Sequence, residues 1–145
     1  MTLLEQALRF REIFGQEIPG NISQFGFVKQ KLWDMQVGLI TEESKEFFEA
    51  AGECFADPEC SRRREELTKE LSDLVFVCYQ FAAAFGIDLD KAMDLVYESN
   101  LSKLDEQGKP IFRPDGKVLK GPNYQAPDLA SCTPQVHFYY DTHGK

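Results

Sequence analysis

The stretch ELSDLVFVCYQFAAAF, residues 70–85, decides the fold. Its apolar residues do not alternate, neither Pro nor Gly interrupts it, and Gly86 follows as a stop, which together mark a helix. Rotated by about 100° per residue, Leu67, Leu71, Leu74, Cys78, Phe81 and Phe85 form one apolar stripe, the side expected to face a core. Glu70 and Asp73 stand at the head of this run and border the stripe. A carboxylate left unpaired at the rim of a core costs on the order of several kcal/mol, so these two acids need a partner or a job.

Upstream, Ser61 is the expected N-cap of this helix and Asp57-Pro58 a loop. A long helix is expected over residues 28–55, with Gly38 as a possible bend, and a short amphipathic one over residues 3–14, broken by Gly15, Pro19 and Gly20. Downstream, Asp88 caps a helix expected over residues 89–104. With no convincing strand among them, these segments predict an all-α bundle of about four helices. After Leu104 the texture changes: Gly108, Pro110, Pro114, Gly116, Gly121, Pro122 and Pro127 cannot lie inside a helix. Residues 110–113 and 117–120 read as two short extended pieces around Pro114-Asp115-Gly116, a flap with a small hairpin. The expected organisation is therefore a bundle over 1–104, a flap packed on the same domain over 105–129, and a tail over 130–145 with no assignable structure.

A chain of 145 residues has the length of one domain, and 43% hydrophobic with 28% charged residues suits a folded one. No apolar run reaches the roughly 18 residues of a membrane span, and residues 1–14 lack the apolar core of a signal peptide, so a cytoplasmic protein is expected. Cys54, Cys60, Cys78 and Cys132 show no CxxC spacing and read as free thiols; His137 and His143 read as tail residues rather than ligands. A net charge of −8 argues against wrapping a nucleic acid polymer, which needs a basic face. One small polyanion remains possible where a divalent ion inverts the local charge.

The helix LITEESKEFFEAAGECF, residues 39–55, carries a second acidic pair. Ile40, Phe47, Ala50, Ala51 and Cys54 make its apolar stripe; Glu43 falls inside that arc and Glu46 at its edge, while Glu42 and Glu49 lie further out. Two helices thus each present an i, i+3 acidic pair beside the face that packs inward. Packed antiparallel, they bring Glu43, Glu46, Glu70 and Asp73 to one cleft, where like charges repel unless protons or cations intervene. Oxygen ligands without His or Cys select hard divalent ions, Mg²⁺ first and Mn²⁺ as a substitute. Lys45, Lys69 and Arg62 to Arg64 offer the alternative of ordinary surface pairing. Near the end of the last helix, Asn100 and Lys103 join an amide to an ammonium suited to phosphate oxygens, with Arg113, Lys117 and Lys120 on the flap as further cations.

Glu42-Glu43-Ser44-Lys45-Glu46 and Glu70-Leu71-Ser72-Asp73 resemble the EExxE and ExxD signature of the all-α nucleoside triphosphate pyrophosphohydrolases, the superfamily of MazG-like proteins, dimeric dUTPases and phosphoribosyl-ATP pyrophosphohydrolases. ESNLSKL at 98–104 and GKPIFRPDGKVLKGPNYQAPDL at 108–129 are most similar to its MazG-like or phosphoribosyl-ATP pyrophosphohydrolase-like branch. The resemblance runs over residues 39–129. It implies Mg²⁺-dependent cleavage of a (d)NTP between the α- and β-phosphates to monophosphate and pyrophosphate, with a lean to purine deoxynucleotides. It further implies Glu43, Glu46, Glu70 and Asp73 as metal ligands, Glu42 as an outer ligand or the group orienting water, and Asn100 and Lys103 on the phosphates. It implies a homodimer or a dimer of dimers, with Phe25, Phe27 and Trp33 as aromatics able to stack on a base. Phosphoribosyl-ATP is the alternative substrate, disfavoured by the flap and the chain length; dUTP is a second, disfavoured because those members are larger. Outside this class stands a non-catalytic module whose acidic helices bind a basic partner. A ferritin-like di-iron bundle needs ExxH pairs, and the first His is His137.

Overall fold

The computed structural model describes residues 1–18 and 30–134. They form α1 (Leu3–Ile13), α2 (Gln30–Ala56), α3 (Ser61–Phe85), α4 (Leu89–Leu101) and a 3-10 turn at Ala130–Cys132, with no strand longer than one bridge among the described residues. The all-α expectation holds. The chain divides into two compact units, Met1–Ile87 and Asp88–Thr133, whereas the change in composition falls after Leu104. Phe25, Phe27, the breaking residues Pro19 and Gly20, the expected start of the second helix, His137 and His143 lie outside the described residues.

In the first unit, α1 begins at a capping box: the Glu5 amide donates to Thr2 Oγ1 at 3.2 Å and the Thr2 amide to Glu5 Oε2 at 2.6 Å. α2 and α3 form an antiparallel hairpin across the Asp57-Pro58 turn. Arg63 donates to the Glu53 carbonyl at 2.8 Å near the turn, and at the far end the Trp33 ring lies 5.1 Å from those of Phe81 and Phe85. Gly38 sits inside an unbroken α2. The cap position of α3 is Cys60, not Ser61; Ser61 is the first helical residue and Cys60 supplies no side-chain bond. At the other end Gly86, at φ 72°, lets the Ile87 amide reach back to the Ala82 carbonyl at 3.0 Å, the left-handed stop its residue type predicts.

Helix α3 is central, since both α1 and α2 pack on it. A helix with two neighbours buries more than one stripe, and its second half accordingly buries Val77, Tyr79, Gln80, Ala82, Ala83 and Ala84. The single stripe expected from periodicity is therefore misplaced: Leu67, Leu74, Cys78, Phe81 and Phe85 are only half-buried, and Leu71, 48% exposed, lines an open apolar groove with Leu3, Val75 and Phe76. Between α1 and α3 lies a buried polar link. Arg11 donates to the Glu17 carbonyl at 2.7 Å and to Gln80 Oε1 at 3.4 Å, and Gln80 Nε2 donates to the Ala7 carbonyl at 3.3 Å. Burial alone pushes the guanidinium pKa down, opposed by the charge of Glu17.

In the second unit, Asp88 Oδ1 caps α4 by accepting from the Lys91 amide at 3.1 Å. The helix stops at Leu101 rather than at 104: the amides of Lys103 and Leu104 tighten onto the carbonyls of Asn100 (3.2 Å) and Leu101 (3.3 Å), and beyond them Asp105 Oδ1 accepts from the amides of Gln107 (2.9 Å) and Lys109 (2.8 Å) in a turn. The flap has its small hairpin: Phe112 bridges Val118, the Arg113 amide donates to the Lys117 carbonyl at 2.7 Å, and Gly116 takes φ 88° at the tip. Ser99 Oγ donates to the Gln125 carbonyl at 2.7 Å and the Gly121 amide to the Lys103 carbonyl at 2.9 Å, fastening the flap to the end of α4.

Candidate metal centre

The antiparallel register of α2 and α3 sets Glu43 and Glu46 against Glu70. One carboxylate oxygen from each lies within 4.8 Å of the others. Glu43 is half-buried and Glu70 has a side chain 16% exposed. Oε2 of Glu43 and Oε2 of Glu70 are shielded from solvent and meet no hydrogen-bond donor. Buried polar atoms are nearly always paired, so two such oxygens beside a third carboxylate leave a strong demand for positive charge.

Burial first, then the charges of Asp73 and Glu70, push the Glu43 carboxyl above the ordinary glutamate range; Lys69 pulls the other way. Glu46 is raised chiefly by repulsion from Glu43, then by burial and by Glu70. Asp73 lies outside the tight trio. Its Oδ2 accepts from Lys69 Nζ at 2.7 Å, and the same ammonium is 2.9 Å from Glu70 Oε1, which carries the lysine above its ordinary pKa range. Lys69, read from sequence as one of several surface cations, is thus the side chain that touches both members of the α3 acidic pair. Its signal is local, since Lys69 precedes Glu70 by one residue and Asp73 by one helical turn.

Several of the other expected site residues have partners of their own. Glu42 is exposed and adds its charge to Glu43 and Glu46. Trp33 belongs to the aromatic contact with Phe81 and Phe85, although it remains 41% exposed. In the second unit, Lys103 Nζ donates to Asn100 Oδ1 at 2.6 Å. Arg113 is paired with Asp115, whose carboxyl it holds below the usual range; Nε to Oδ1 is 2.8 Å. Lys120 lies 4.5 Å from the centre of the Tyr124 ring, and Lys117 contributes backbone groups to the hairpin. One buried polar atom was not anticipated: Gln36 Oε1 on α2, enclosed without a donor.

The donor set fits a divalent ion. Three carboxylates converge, two of their oxygens lack any donor, and oxygen-only ligands suit a hard cation.

The helices of the described residues and a family-model match over residues 9–100 make the chain an all-α pyrophosphohydrolase of the MazG-like superfamily, a hydrolase of phosphorus-containing anhydrides. More narrowly, residues 9–100 match the sequence model of phosphoribosyl-ATP pyrophosphohydrolase, and the chain belongs to that family. The match takes in the end of α1 from Arg9, the hairpin and nearly all of α4, and ends before the flap. None of the curated proteins compared with the chain matches it.

Proposed function

We propose that the protein is a Mg²⁺-dependent enzyme that cleaves a nucleoside triphosphate between its α- and β-phosphates, releasing a nucleoside monophosphate and pyrophosphate. The observation that carries this reading is the convergence of Glu43, Glu46 and Glu70 with two shielded oxygens that no donor satisfies. These three, with Asp73 beside them, would hold the ion. When bound, the ion offsets phosphate charge and makes nearby water more acidic. Glu42, exposed next to the trio, takes a proton from the attacking water or orients it. Asn100 and Lys103 hold phosphate oxygens; their mutual hydrogen bond keeps amide and ammonium together for that task. Arg113, Lys117 and Lys120 are further phosphate contacts, and the partly exposed Trp33 is a stacking surface for a base.

The lean to purine deoxynucleotides rests on resemblance. Phosphoribosyl-ATP is a second substrate reading, favoured by the family match itself; the flap at 105–129, beyond the matched residues, favours the first. A homodimer or dimer of dimers in the cytoplasm completes the proposal, supported by the exposed apolar groove of Leu3, Leu71, Val75 and Phe76. Incubation with each (d)NTP and with phosphoribosyl-ATP in Mg²⁺, followed by chromatography, tests it. Monophosphate plus pyrophosphate from a (d)NTP is the expected result. Diphosphate plus orthophosphate, or no turnover of any nucleotide, overturns it; turnover of phosphoribosyl-ATP alone selects the second reading.

A further inference from the structure

Lys69 places one ammonium against both acids of α3, 2.7 Å from Asp73 Oδ2 and 2.9 Å from Glu70 Oε1. The oxygens of Glu70 are thereby divided: Oε1 faces the lysine, while Oε2 is shielded and has no donor. Asp73 accepts from the same lysine through Oδ2 and lies outside the trio of Glu43, Glu46 and Glu70. Lys69 itself is 63% exposed, so water can receive the ammonium if it swings away, at the cost only of two charge-assisted hydrogen bonds. A hard cation and an ammonium seek the same oxygens, but the ammonium is tethered and cannot be diluted away.

We propose that Lys69 is a built-in counter-cation of the acidic centre: it keeps Asp73 and one oxygen of Glu70 from the metal, so that an ion binds first on Glu43, Glu46 and Glu70 and reaches Asp73 only when the lysine leaves. This rests on the metal reading above. Lys69 is accordingly a positioning residue, one that sets how tightly, and in what number, divalent ions are held before any nucleotide arrives. Two consequences follow that a merely structural lysine does not produce together. Without its charge the carboxylates repel each other more and the metal-free protein is weakened, yet the same carboxylates attract a divalent ion more strongly.

The test uses Mn²⁺ alone, without nucleotide, titrated into the full chain while free Mn²⁺ is followed by electron paramagnetic resonance. Lys69→Met is expected to bind Mn²⁺ roughly tenfold more tightly than the wild type, or to take up an additional ion per chain. Lys69→Arg, which keeps the charge, is expected to stay within about twofold of the wild type. Thermal melts provide the second readout: in EDTA Lys69→Met melts below the wild type, and saturating Mn²⁺ raises it by more. Lys69→Gln repeats the measurement should the Met variant fold poorly. Unchanged or weaker Mn²⁺ binding in the neutral variants overturns the role of Lys69 while leaving the metal reading intact. Failure of the wild type to bind Mn²⁺ at all removes the metal reading, and this inference with it.

Discussion

Glu43 and Glu70 each hold one oxygen away from water with nothing to satisfy it, and that arrangement makes the site sensitive to single atoms. Replacing Glu70 by Gln exchanges a carboxylate oxygen for an amide at the point where the trio converges. Turnover is expected to fall by roughly a hundredfold or more, with helix content by circular dichroism unchanged. Normal rates in that variant would show that Glu70 is no ligand. Glu43 carries a pH signature. Its folded-state pKa lies above that of an unfolded glutamate, so the folded state holds the proton more tightly, and stability falls as pH rises between the two values. The penalty is complete above the folded pKa. Metal-free protein should therefore melt higher on moderate acidification through the carboxylate range, and Glu43→Gln should melt higher than the wild type at neutral pH while losing part of that dependence. A Glu43→Gln variant no more stable than the wild type in EDTA contradicts the strain inferred for the trio.

At the scale of elements, the hairpin of α2 and α3 brings the acidic trio together, and the end of α4 supplies the seat of the flap. Gly121 packs tightly against the chain just past α4: a Cβ there would lie 2.4 Å from the Leu104 carbonyl oxygen and 2.6 Å from that of Lys103. Both obstacles are backbone, so neither can rotate aside. Gly121→Ala is expected to destabilise the second unit by about 1–3 kcal/mol and to speed proteolysis between residues 105 and 129. Equal cleavage rates in variant and wild type would mean that the Gly121 contact does not hold the flap. The flap's hairpin was legible in Pro114-Asp115-Gly116, because turn chemistry is local. The shorter α4 was not legible, since the tightening of the Lys103 and Leu104 amides onto Asn100 and Leu101 is a backbone choice that helical periodicity does not register.

For the whole molecule, ligand linkage separates an enzyme from an acidic interaction module. Mn²⁺ with a non-hydrolysable triphosphate, at about a hundred times its Kd, stabilises the folded state by about 2.7 kcal/mol, a rise of several degrees in Tm. The Glu70→Gln variant should show little of that rise. A wild-type melt indifferent to metal and nucleotide would favour the module. What the residues determined unaided is what depends on near neighbours along the chain: the helices, from apolar spacing and the Gly86 stop, and the two acidic i, i+3 pairs beside apolar stripes. Packing decided the rest. Flanked by α1 and α2, α3 buries Gln80 beside Arg11 and leaves Leu71 in the open, a choice that no single-helix projection contains. The hairpin register likewise joined Glu43, Glu46 and Glu70 and left Asp73 beside them on Lys69, because convergence of charges from separate helices is settled by helix rotation and neighbours, not by spacing within either helix.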